Sequence, residues 1–157
     1  MKVIGKSQET GEEFQNNSAT VDDKFIESMS LFDLTEKKLK EVLDGLDVSA
    51  DVKSMLWSFS RVTIQAGQKI IKIGRKIIDY ICRVFSEYPS TSFGLVFGAI
   101  AGFLIASIPI LGVVLGPVFT PIAMAIGLIG GLKEDLTDKA LERRIAEINA
   151  KFSPLKA

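Results

Sequence analysis

The sequence predicts an all-α membrane protein. Three observations carry that expectation: an uncharged apolar window of 45 residues from Tyr88 to Leu132, apolar residues at helical spacing on both sides of it, and weak strand signals throughout. A bilayer core about 30 Å thick takes roughly 20 helical residues to span, so the window has length for about two spans.

The window belongs to an uneven charge distribution. The 157 residues carry 19 basic and 19 acidic side chains, and the net charge is zero. Residues 1–60 hold 7 bases and 12 acids, and residues 61–87 hold 6 bases and 2 acids. Residues 133–157 are mixed, with 6 bases and 5 acids. The mean hydropathy, +0.28, is high because of the window. Neutrality argues against a bulk nucleic-acid binder. There is no histidine, which removes His-ligated metals and Ser-His or Cys-His catalysis. The single cysteine, Cys82, excludes an intrachain disulfide and a paired-thiol metal site. No catalytic residue, metal ligand or cofactor is therefore expected.

Taken in order, residues 1–20 are polar and read as a disordered tail. Residues 21–87 read as a helical cytoplasmic or membrane-surface region. Within it Phe25, Ile26, Met29 and Phe32 suggest a short amphipathic helix. Thr35 is placed to cap a helix over Glu36–Asp44 that Gly45 stops, and Ser49 to cap one from Ala50. That last helix is expected to reach Glu87, with a break near Gly67. In its second half Ile70, Ile73, Ile77, Ile78, Ile81, Val84 and Phe85 share one side. Lys69, Lys72, Arg75, Lys76 and Arg83 share the other, and read as contacts to an anionic membrane surface.

Residues 88–132 read as a transmembrane or membrane-inserting hairpin. Its arms run over about 91–107 and 117–132, interrupted by Pro109, Gly112, Gly116, Pro117 and Pro121. Small residues recur every fourth position: Gly94, Gly98, Gly102 in one arm and Ala123, Gly127, Gly131 in the other. Folded about 111–113, the arms set Gly94 opposite Gly131, Gly98 opposite Gly127 and Gly102 opposite Ala123. Such stripes let helices approach closely in lipid. The tip, Ile108–Gly116, has no polar side chain. It can reach the far interface, stay shallow, or line a cavity among several copies. In architecture the hairpin is similar to that of colicin-type pore-forming domains, by analogy alone. Flanking bases put both termini in the cytoplasm by the positive-inside rule. Residues 133–157 read as a C-terminal amphipathic helix, with Leu136, Leu141, Ile145, Ile148 and Phe152 in register and Pro154 as its stop.

The expected function is an oligomeric membrane protein that permeabilises the bilayer or forms a pore through the glycine-rich hairpin. The alternative is a membrane-anchored adaptor whose residues 21–47 and 133–152 bind protein partners. A helical protein that buries the hairpin in its own core is disfavoured, because few helices remain to wrap 45 apolar residues. The expected partners are an anionic bilayer and further copies of the chain, with no nucleic acid. Asp22, Asp23, Glu27 and Asp33 read as a solvated face rather than a cation site. Cys82 reads as a buried thiol ahead of a lipidation site, and Trp57 as a core aromatic or an interfacial anchor.

Overall fold

Residues expected to form a disordered tail build a β-hairpin in the computed structural model, which describes residues 1–126 and 139–156. Strands β1 (Lys2–Lys6) and β2 (Glu13–Asn17) pair antiparallel, with Val3 opposite Asn16 and Gly5 opposite Phe14. A second hairpin joins β3 (Ile64–Ala66) to β4 (Lys69–Ile71). β3 pairs with β1, giving an antiparallel four-stranded sheet in the order β2-β1-β3-β4. The two-residue loop between β3 and β4 needs a left-handed first residue, and Gly67 supplies it with φ of +60°.

The all-α expectation is thereby corrected: the fold is mixed α/β. No described helix is long and apolar enough to cross a membrane. The expected membrane location, the inside orientation of the termini and the transmembrane, pore-lining role of the hairpin fall with it. Among the described residues the longest apolar helix is Pro109–Ala125, whose 17 residues rise about 26 Å, short of a core about 30 Å thick.

The helices between the two hairpins follow local capping chemistry. Asp22 caps α1 (Asp23–Met29), accepting from the Phe25 N–H at 2.9 Å. Thr35 caps α2 (Glu36–Asp44) through the Lys38 N–H, and Ser49 caps α3 (Ala50–Ser60) through the Val52 N–H, each at 3.2 Å. The long helix expected from Ala50 to Glu87 is broken in the middle by β3 and β4. It resumes as α4 (Ile73–Glu87), whose apolar side, including Ile73, Ile77, Ile78, Ile81 and Val84, is buried.

The described part of the apolar window, residues 88–126, folds as a helical hairpin packed against the rest of the protein. Its first arm comprises α5 (Phe93–Phe97), a π-helical turn (Gly98–Gly102) and α6 (Phe103–Ser107). Ile108 alone is extended, and α7 (Pro109–Ala125) begins at once with Pro109 in its first turn. The tip is thus at Ile108, and the second arm starts eight residues before the expected Pro117. Pro117 and Pro121 lie within α7 on a partly or fully exposed side, where carbonyls they leave unbonded can meet water. The Thr120 hydroxyl donates to the Gly116 carbonyl at 3.1 Å.

The cover missing from the sequence reading is the sheet. α7 packs on β1, β2 and α3. A Cβ on Gly5 of β1 would lie 2.7 Å from Val114 and 2.9 Å from Ile110. Helix α8 (Lys139–Phe152) closes the other side, burying Leu141, Ile145, Ile148 and Phe152, and Ser153–Lys156 continues it as a 3-10 turn past Pro154. Arg144 ties α8 to the end of α4 by a bidentate pair with Glu87 at 3.0 and 3.1 Å. Buried residues of both hairpins and of the described helices form one hydrophobic cluster.

Candidate functional site

Sheet register decides which backbone groups are free. A two-residue loop makes Ala66 and Lys69 the closing hydrogen-bonded pair, so alternate residues of β4 turn their amides away from β3. The Gly67 N–H, which by the same alternation faces β1, donates to the Lys2 carbonyl at 2.8 Å. Ile70 is therefore the residue of β4 whose N–H and C=O face outward from the sheet edge. Its side chain is 69% exposed, the largest value among the exposed large hydrophobics.

Beside this edge lies a cleft of about 350 Å³ between β4, the start of α4 and the loop joining α1 to α2. Ile70, Lys72, Arg75 and Lys76 line one side, and Phe32, Asp33, Leu34, Thr35 and Glu36 the other. The first turn of α4 carries no acid, and its cap residue Lys72 makes no side-chain cap bond. Cations at the positive end of a helix are unfavourable unless an anion joins them. Arg75 adds a second unmet demand, since its buried Nε has no hydrogen-bond partner.

Gly74 fixes the position of this turn. A Cβ there would lie 2.0 Å from the Phe59 carbonyl oxygen, so α4 crosses α3 at backbone distance. The Gly74 N–H donates to the Val62 carbonyl at 3.1 Å, tying the helix start to the strand entrance.

The opposite wall is clamped by two of the expected surface cations. The Lys76 ammonium donates to the carbonyls of Met29 at 2.7 Å and Phe32 at 3.0 Å, at the end of α1. Burial lowers its pKa from the ordinary lysine value, and the nearby Asp79 and Asp33 charges oppose that shift. Arg83 binds the buried Asp79 at 2.9 Å and donates to the Leu31 carbonyl at 2.9 Å. Its guanidinium also lies 5.6 Å from the centre of the Phe32 ring.

Of the five basic residues singled out in the sequence, Lys69, Lys72 and Arg75 therefore gather around the β4 edge. Lys76 and Arg83 turn inward to hold the α1–α2 loop. Of the expected stripe pairs, only Gly102 and Ala123 both lie within the described residues. A Cβ on Gly102 would meet the Phe119 ring at 3.6 Å, Gly98 is buried in the π-helical turn, and Gly94 and Ala123 lie on the hairpin arms. Gly127 and Gly131 lie outside the described residues.

Ile70 is the site residue that sequence reasoning missed, because a helical wheel put it on a buried face. Its signal was present in the alternation of Val62, Ile64 and Ala66 before Gly67. Cys82 is partly buried, and its thiol is pushed up to about 12, mainly by burial and then by Asp79, which removes it as a nucleophile near neutral pH. Comparison with protein-family models, with curated proteins and with solved structures finds no match.

Proposed function

We propose that the protein is an adaptor that binds a partner protein by adding an acidic, extended segment to the β4 edge. The observation that carries this reading is the outward-facing backbone of Ile70, with its exposed side chain, among Lys69, Lys72 and Arg75. A strand laid on such an edge gains main-chain hydrogen bonds, and alternate side chains give specificity. Lys69, Lys72 and Arg75 outnumber the two carboxylates beside the cleft, Asp33 and Glu36, so the balance at the edge favours an acidic segment. The reading keeps the adaptor function expected from the sequence and drops its membrane anchor.

The test is fluorescence anisotropy with a short labelled peptide of alternating Glu and Val. Binding should weaken with added salt, as screened charges require. It should weaken about tenfold or more in a Lys69→Glu, Lys72→Glu double variant, a loss of about 1.4 kcal/mol or more. Ile70→Pro should also weaken it, because it removes the outward N–H without removing a ladder bond. Equal binding of a matched Lys–Val peptide would sink the proposal.

A second copy of the chain is the other source of such a strand. The outer edge of β2 carries Glu13, next to Glu12. Pairing β2 of one copy with β4 of the next would be head to tail, giving a ring where the rotation closes and a growing filament where it does not. Sedimentation velocity separates the cases: mass that rises with concentration, and falls back in the double variant, identifies the second copy.

A further inference from the structure

The opposite edge of the sheet, β2, offers more free backbone than β4. The Ser18 N–H donates to the Met1 carbonyl at 3.0 Å, and the Met1 ammonium to the Ser18 carbonyl at 2.7 Å. At the other end of the hairpin the Ser7 N–H donates to the Glu12 carbonyl at 2.8 Å. Between them Val3 stands opposite Asn16 and Gly5 opposite Phe14, so alternation makes these the hydrogen-bonded pairs. Glu13, Gln15 and Asn17 therefore turn their N–H and C=O groups outward from β2. No described strand lies beyond them. Where β4 presents Ile70 alone, β2 presents a row of three residues.

Exposed edges are usually blunted by lysine, proline or a bulge. β2 has no lysine or proline, and its register to β1 runs unbroken over all five residues. The side chains of Glu13, Gln15 and Asn17 are exposed, and the Gln15 amide donates to the Glu13 carboxylate. This row is complementary to itself. A two-fold axis at Gln15 sets it opposite Gln15 of a second copy, and Glu13 opposite Asn17 at both ends. All three outward residues then form hydrogen-bonded pairs, and no acid faces an acid. Moving the axis to Phe14 or Asn16 leaves two such pairs. Moving it to Glu13 sets two carboxylates opposite each other, which is destabilising. In the centred register Glu13 of one copy also approaches the strand end where Lys2 stands beside Asn17 in the other.

We propose that two copies of the chain pair antiparallel along β2 in this register, joining their sheets into one of eight strands. The interface is isologous, so it closes at the dimer. It consists of one strand pair and the side chains flanking it, which makes the dimer weak and concentration-dependent. Both outer edges of the joined sheet are β4, and both stay open. The pairing rests on the β2 register and does not depend on the adaptor reading.

The test is sedimentation velocity on the full chain over a concentration series. A monomer–dimer equilibrium that stops at two copies is expected. Asn17→Lys puts a cation opposite Glu13 at both ends and should tighten the dimer about fivefold, whereas Asn17→Glu puts like charges there and should loosen it about fivefold. Gln15→Pro removes an outward N–H at the axis without touching a ladder bond, and should give a monomer with an unchanged circular dichroism spectrum. The Lys69→Glu, Lys72→Glu variant should dimerise as the wild type does, which separates this interface from pairing through β4. A chain that stays monomeric at every concentration would overturn the proposal. So would two Asn17 variants that shift the equilibrium alike, or association that is lost in Lys69→Glu, Lys72→Glu.

Discussion

Gly74→Ala tests the packing on which the candidate site rests. The added Cβ would meet the Phe59 carbonyl oxygen at 2.0 Å, its carbon at 3.0 Å and the Ser60 carbonyl carbon at 3.3 Å. Ordinary contact begins near 3.4 Å, so α4 and α3 must separate by more than about 1 Å in a core that is close-packed. The obstacle is backbone, which cannot rotate aside as a side chain can. Overpacking costs about 1–3 kcal/mol and occasionally more. Here it takes the upper end, and the hydrogen bond from the Gly74 N–H to Val62 is strained with it. Against this stands a gain of about 1 kcal/mol in helix propensity. The net expectation is a loss of about 2 kcal/mol or more, or at least about 4–8 °C in Tm for a domain of this size. Urea unfolding followed by circular dichroism measures it. A variant as stable as the wild type, or more stable by the propensity gain, would refute the close crossing of α3 and α4.

Two further outcomes follow from buried polar groups. Tyr80 is 2% exposed, burial raises its pKa, and its hydroxyl has no hydrogen-bond partner. Tyr80→Phe should therefore be neutral or stabilising by about 1 kcal/mol in thermal unfolding, and a loss of more than about 1 kcal/mol would reveal a hydrogen bond at that oxygen. The Cys82 thiol moves from 9.0 up to about 12, so its thiolate fraction near pH 8 falls about 1000-fold relative to the unfolded chain. Disulfide reagents should label native protein far more slowly than protein in urea. Because the folded state holds this proton more tightly, Cys82 contributes stability that is fully present below pH 9.0 and is lost as pH rises toward about 12. A Cys82→Ala variant should show a shallower loss across that window, and an unchanged slope would exclude the thiol as its cause.

The parts of this fold that were legible are those set by local chemistry. Thr35, Gly45 and Ser49 mark the ends of α2 and the start of α3 in the structure as they do in the sequence. The first apolar arm, read as about 91–107, is helical over Phe93–Ser107, interrupted only by its π turn. The sheet was not legible, for two physical reasons. β1 and β2 put few apolar side chains inward, since Gly5 faces α7 without a side chain and the outward residues are Lys2, Lys6, Glu13, Gln15 and Asn17. β3 and β4 are three residues each, too short for alternation to outweigh the helical period that begins at Ile73. Missing the sheet left the apolar window without cover, and a bilayer was the remaining place to put it. Lys72 and Arg75 were singled out for an anionic surface by charge, and the structure sets both beside the β4 edge. The role of Ile70 depends on strand parity, which a helical wheel cannot register.

The central claim is that the β4 edge accepts an acidic strand, and the most direct measurement is at one atom. In an amide-resolved NMR titration with the short Glu–Val peptide, the Ile70 N–H should shift downfield and gain protection from solvent exchange. The amides of Lys69 and Ile71, already paired with β3, should gain no such protection. An Ile70 amide that is protected before peptide is added, or that stays unprotected when peptide is bound, would contradict the account.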